Sequence, residues 1–376
     1  MKIKLNIDEL LYLDMPLFLL GLNYVLYNAL GMESTKIILR IGALLLMVIG
    51  WVLKGNFSIE KKPFFAMAIA ILAFLINGSV TFNFLAIVIF SICVTYPIEK
   101  IALSAFRTNL LLVILMIILM ALHVVNNTSY ISTMGRSRAT FGFENPNVAA
   151  LFYSSLVYLL LVSRKKLKPM IIGVALFLTV IVYYYTNSRT SLLALLVFVF
   201  LEYIVYIINK KKMLHADIIF GKCAVLFSDA LFLVNLLSVF TIEKFMRIDQ
   251  LLSFRISTFS KMIDDAGLIG FLFGGTTLTV DSFYYMLLFQ YGIFIYLFVA
   301  IATHFALKQM VIKRENRFVS LIIGLLLVAM MESSLIRPEI LVTLVVWKII
   351  FSKVNVNPVM TSIDGKIVSE GKSGDE

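Results

Sequence analysis

Hydrophobic positions in this chain do not alternate and do not repeat at a helical interval. They run almost unbroken for about 17–25 residues at a time, the length a helix needs to cross a hydrocarbon core. Backbone groups in lipid must be satisfied internally, so such runs predict helices. Twelve are read, at roughly 15–31, 37–53, 63–77, 80–97, 104–125, 146–163, 169–186, 190–208, 218–240, 281–301, 318–335 and 338–352. Pro63, Pro146, Pro169 and Pro338 stand in first turns, where a missing N–H costs little. One polar-interrupted stretch, 241–280, departs from the pattern. From Thr241, a candidate N-cap, its apolar residues (Phe245, Ile248, Leu252, Ile256, Phe259, Ile263) fall near helical spacing, which predicts an amphipathic helix. Gly267, Gly270, Gly274 and Gly275 then interrupt it.

The expected fold is all-α: a polytopic membrane bundle over 1–352, a large loop at 241–280, and a flexible polar tail at 353–376. Composition agrees, with 61% apolar residues among 376 and a mean hydropathy of +0.97. No cleavable leader is expected, because Asp8, Glu9 and Asp14 precede the first run and no small-residue cleavage site follows it. Cys93 and Cys223 both sit in apolar runs and read as small core residues. The net charge of +11 lacks the interleaved aromatic and basic pattern of a nucleic-acid binder. It fits basic loops facing anionic headgroups.

Placing the N-terminus inside puts 23 of the 33 Lys+Arg on the cytoplasmic side. The identities of these charges say more than their number. The inner side holds 19 Lys and 4 Arg; the outer side holds 3 Lys (Lys36, Lys244, Lys261) and 7 Arg. Arginine suits bidentate recognition of phosphate and carboxylate, whereas lysine anchors topology adequately. For Arg40 and Arg247, snorkelling to headgroups is the plainer reading.

Four outer stations carry candidate chemistry. Arg136 and Arg138 precede Glu144, Asn145, Pro146 and Asn147 at the start of a span. Turn and capping chemistry accounts for Asn145 and Pro146, but not for two arginines. Arg189 lies in the tight turn Thr186-Asn-Ser-Arg-Thr-Ser191, where a lone cation at membrane depth is costly. Arg255 lies on the polar face of the loop helix. Asp281, with Ser282, Tyr284 and Tyr285, opens the tenth span, where an acid also complements the helix dipole. At Arg337 a plain ion pair with Glu339 or Glu332 is expected. No metal cluster, nucleotide loop or cofactor motif is present in the sequence, so neither a metal nor a cofactor is expected.

The segment Arg-Ala-Thr-Phe-Gly-Phe-Glu-Asn-Pro-Asn147 resembles the Gly-Phe-x-Asn-Pro-Asn type segment of Wzy-type polysaccharide repeat-unit polymerases. Asn-Ser-Arg-Thr-Ser resembles the Ser-Arg turn of the wider O-antigen ligase and polymerase superfamily. The long loop with Arg255 and the segment from Asp281 are similar to that superfamily's large loop and closing segment. Ligases there carry a His where this chain has Asp281, which favours the polymerase branch. The resemblance implies a metal-independent glycosyltransferase in a bacterial cytoplasmic membrane, acting on its outer face. Donor and acceptor would be undecaprenyl-diphosphate-linked repeats, with flippase and chain-length regulators as partners. Arg189 and Arg255 would neutralise the departing diphosphate, Asp281 would take the acceptor proton with Glu144 as its substitute, and Arg136, Arg138, Glu144, Asn145, Asn147, Tyr284 and Arg337 would hold substrate. The alternatives are a ligase-like glycan transferase and a flippase for the lipid-linked oligosaccharide.

Overall fold

The structure is a computed structural model describing residues 7–55, 61–131, 137–164, 167–249, 254–278 and 281–351. Arg136 and the polar tail expected at 353–376 lie outside the described residues. Every apolar run becomes helical. The first helix, α1 (Ile7–Glu9), passes through a π turn (Leu10–Asp14) into α2 (Met15–Leu30). There follow α3 (Glu33–Leu53), α4 (Lys61–Asn77), α5 (Phe82–Cys93), α6 (Ile98–Ala121), α7 (Pro146–Val162), α8 (Pro169–Thr186), α9 (Arg189–Lys211) and α10 (Leu214–Ser238). The C-terminal part contains α11 (Arg255–Phe273), α12 (Phe283–Tyr291), α13 (Ile293–Ile312), α14 (Asn316–Ala329) and α15 (Leu341–Phe351). Six of these helices are long and apolar enough to cross a membrane: Ile7–Leu30, Glu33–Leu53, Ile98–Ala121, Pro169–Thr186, Arg189–Lys211 and Ile293–Ile312.

Three departures from the sequence reading matter for the site. A small ribbon of β1 (Ser129–Ile131) and β2 (Ser137–Ala139) interrupts the all-helical pattern, pairing Tyr130 with Arg138 in antiparallel register. Three residues per strand are too few to show a period of two, so the pattern carries no sign of it. The amphipathic helix does not start at Thr241. A 3-10 turn covers Ile242–Ile248, and α11 starts only at Arg255. Asp249 sets that start: its Oδ1 accepts from the Ile256 and Ser257 amides (2.7 and 3.2 Å), donors that a first turn leaves unsatisfied.

The expected tenth span, 281–301, is broken at Gly292, whose φ of 89° and ψ of 164° leave the helical region. Gly274, at φ 80°, lies against the break. A Cβ on Gly274 would meet the Gln290 carbonyl oxygen at 2.4 Å, and one on Gly292 the Leu272 carbonyl oxygen at 2.6 Å. Two backbones this close admit only glycine. All nine residues of α12 are consequently buried ahead of the longer α13.

Helices α7, α12, α14 and α15 form the centre of the bundle, and α15 is buried along its whole length. It packs on α5, α6, α13 and α7. The lipid-length helices around them keep large exposed apolar side chains, among them Leu45, Ile117, Phe177, Leu193 and Ile301. Cys93 is buried as expected, but Cys223 is exposed.

The two ends of the bundle differ. At one, Lys100 pairs with Glu9 (2.6 Å), Arg317 with Glu99 (3.2 Å), and Lys54 lies over the Tyr96 ring (3.5 Å). At the other lie the ribbon, the α8–α9 turn, the start of α11, Asp281 and the connection 330–340.

Candidate functional site

Arg138 projects from β2 into the junction of two helices. Its Nε donates to the Thr186 carbonyl at the end of α8 (2.9 Å), and its Nη2 donates to Asn147 Oδ1 in the first turn of α7 (2.6 Å). The Asn-Pro-Asn motif builds that junction. Asn145 Oδ1 accepts from the Asn147 amide (2.8 Å) as a helix cap, Pro146 occupies the first helical position, and Asn147 presents its carbonyl to the arginine. Asn145 therefore caps, and Asn147 positions Arg138. Glu144 is exposed; its amide donates to the Asn28 carbonyl (3.0 Å), tying the motif to α2.

Arg255 heads α11 and turns toward two carboxylates. Its Nη2 lies 3.7 Å from Glu332 Oε1 and 3.9 Å from Asp281 Oδ2. Tyr285 fixes the helices that carry these groups. Its ring stacks on Phe259 of α11 at 4.2 Å, and its hydroxyl shares a 2.9 Å hydrogen bond with Ser238 Oγ at the end of α10.

By sequence Glu332 falls inside a span, with a plain ion pair to Arg337 as its expected role and no part in the chemistry. In the structure α14 ends at Ala329, and Glu332 lies in the connection to α15, only 4% exposed. Burial pushes its carboxyl up to about 8, and the charge of Asp281 pushes the same way. Arg255, Arg337 and Arg138 oppose that shift. Desolvation wins, because the ionised form must leave water whatever its neighbours. A buried carboxyl with a raised pKa beside an arginine is able to hold or accept a proton near neutral pH.

Two expectations are corrected beside this cluster. Arg40 is no headgroup anchor: it is 9% exposed and forms a buried ion pair with Glu339. The partner expected for Arg337 is thus taken by Arg40, while Glu332 approaches Arg255. Arg337 instead donates to Ser333 Oγ (3.4 Å). Among the described residues it forms no ion pair. Depth explains the Arg40 error. It sits two turns inside α3, buried in the bundle, where a cation requires a carboxylate partner.

The remaining candidates separate. Arg189 is exposed at the first position of α9 and is not among the charges that act on Glu332. Tyr284 is 1% exposed, and its hydroxyl donates to the Leu326 carbonyl (3.2 Å), so it packs in the core between α12 and α14. Asp265 accepts from Thr276 Oγ1 (2.6 Å), which braces the return from α11 toward α12.

Two cavities flank the cluster. A polar one of about 540 Å³ opens beside Arg337 and Asp281, over the Arg40–Glu339 pair. An apolar cleft of about 160 Å³, lined by side chains such as Ile117, Phe141, Leu178 and Val182, reaches Thr186, the residue whose carbonyl holds Arg138.

Fold and site together define the class: a helical bundle with membrane-length apolar helices and an arginine–carboxylate site gathered at one end. Compared with family models, curated proteins and solved structures, the chain matches none of them.

Proposed function

We propose that this chain is a glycosyltransferase of the outer face of a bacterial cytoplasmic membrane, joining undecaprenyl-diphosphate-linked repeat units into a surface polysaccharide. The twelve-span topology with both termini inside is part of this reading. One observation carries it: Glu332 is buried within reach of Arg255 and in the field of Arg138 and Arg337. Such a site offers cations for a diphosphate and a carboxylate for a proton. The apolar cleft that meets the anchor of Arg138 adds a surface for a lipid tail next to a cation for its headgroup.

In the proposed reaction the acceptor sugar hydroxyl attacks the anomeric carbon of the donor. The new glycosidic bond forms as the bond from that carbon to the diphosphate oxygen breaks, and the lipid diphosphate leaves with the electron pair. The hydroxyl proton passes to Glu332. This replaces Asp281 and Glu144 in that role, because both are exposed whereas Glu332 is buried. Asp281 instead shares Arg255 with Glu332 and helps to aim it. Arg255 and Arg138 stabilise the departing charge from preorganised positions. Arg189, at the adjacent turn, meets the diphosphate as it enters. Asn147 acts through Arg138.

The test is reconstitution with a synthetic lipid-diphosphate repeat and readout of product length. Arg255→Ala should lower the rate about a hundredfold. Normal polymer from Arg255→Lys or Arg189→Ala would remove that arginine from the reaction. In a deletion strain, single repeats should accumulate in the outer leaflet. Inner-leaflet accumulation would make the chain a flippase, and free polymer left unattached would make it a ligase.

A further inference from the structure

The polar cavity beside the cluster has a chemistry of its own. Its floor is the buried pair of Arg40 and Glu339, with Asn23 against it. Asn23 is 1% exposed; its Nδ2 donates to Glu339 Oε1 (3.4 Å), and its Oδ1 has no hydrogen-bond partner. A buried acceptor of this kind is destabilising unless a donor reaches it. A carboxylate or a phosphodiester, such as a lipid-linked sugar diphosphate, brings only acceptors at neutral pH, so neither can satisfy it. A hydroxyl can.

Other lining groups have the same two-sided character. Asn28, Asn83, Gln290, Tyr27 and Thr277 each can donate and accept, as a ligand rich in hydroxyls requires. Two cations complete the wall. Lys36 lies over the Tyr27 ring, 4.1 Å from its centroid, and Arg337 lines the same cavity. Among the described residues neither forms an ion pair, whereas Arg40 is neutralised by Glu339 and Asp281 faces Arg255. The cavity thus asks for hydroxyls and one acidic group on the same ligand. At about 540 Å³ it falls within the range usual for small-ligand sites.

We infer that this cavity is the subsite for a carboxylated sugar of the repeat unit, with Asn23 accepting from a ring hydroxyl and Arg337 and Lys36 holding the carboxylate. The inference rests on the reading of this chain as acting on a lipid-linked glycan, and it names the sugar class that the site selects. Asp281 and Arg337 line this cavity and also belong to the reaction cluster, so the acidic sugar lies next to the reacting end.

Binding of soluble sugars to the full chain in nanodiscs tests it without catalysis. The probes are a glucuronate-terminated oligosaccharide and the same compound with its carboxyl reduced to the alcohol. The acidic probe should bind at least about tenfold more tightly, the contribution of one charge-assisted pair. Lys36→Gln and Arg337→Gln should each erase most of that preference, in proteins whose thermal melting matches the parent. Equal affinity for the two probes would overturn the inference. So would displacement of the acidic probe by inorganic diphosphate, which would assign the cations to the lipid headgroup. The two readings fail separately. Acid preference in a protein that never polymerises repeats leaves the subsite and sinks the transferase. Polymerisation of wholly neutral repeats at an undiminished rate leaves the transferase and sinks the subsite.

Discussion

Glu332 is governed by a contest between burial and three arginines, and burial prevails, lifting its carboxyl to about 8. The sign of the pH dependence follows. The proton-accepting form is the carboxylate, which is scarce below that value, so the rate should rise about tenfold per pH unit up to about 8 and then level off. Glu332→Gln should remove both the activity and the limb; a limb that survives in a partly active variant would assign it to another group. Removing Asp281 takes away a charge that pushes the carboxyl up, so Asp281→Asn should move the limb to lower pH. Asn147→Ala should release Arg138 from its 2.6 Å bond and cost about 1 kcal/mol of stability, read by melting in detergent.

At the scale of elements, the site depends on two glycines that bring the end of α11 against the break between α12 and α13. Gly292→Ala places a Cβ 2.6 Å from the Leu272 carbonyl oxygen and at a φ of 89°. It should destabilise the protein by roughly 1–3 kcal/mol, seen in thermal melts, and should slow the reaction more than an alanine at the open Gly173. The sequence shows where helices lie far better than where they stop. The apolar runs at 169–186 and 190–208 match α8 and α9 closely, because membrane length is written in composition. The break at Gly292 is hidden, since Tyr291 and Ile293 on either side are apolar and keep the run intact. The start of α11 is hidden for another reason: its cap, Asp249, lies six residues before the helix rather than beside it.

Across the whole molecule, the topology we propose would put seven of the eleven arginines outside and nineteen of the twenty-two lysines inside, and part of the site is legible from that division. Arg138, Arg255 and Asp281 carry the outer-end signal and converge on one cluster. Arg40 carries it too but was read as a headgroup anchor, and Glu332 and Glu339 do not carry it, because the meaning of all three is a partner far away in sequence, and one chain read in order does not reveal which carboxylate meets which cation. The topology we propose makes a further prediction. A membrane-impermeant amine reagent applied to intact cells should modify Lys36, Lys244 and Lys261 alone, and labelling of Lys210–Lys212 from outside would invert the orientation. The position of α15 has a consequence for biosynthesis. This helix fills the middle of the bundle, yet it is made after every helix it packs against among the described residues. Until it arrives, α5, α6 and α7 lack a partner for the faces they bury against it. The emerging chain must therefore wait, half assembled in the lipid, with its centre open and in the care of the insertion machinery. A stop codon at Leu341 should accordingly give a chain that is degraded rather than a smaller bundle, as immunoblots of membrane fractions would reveal.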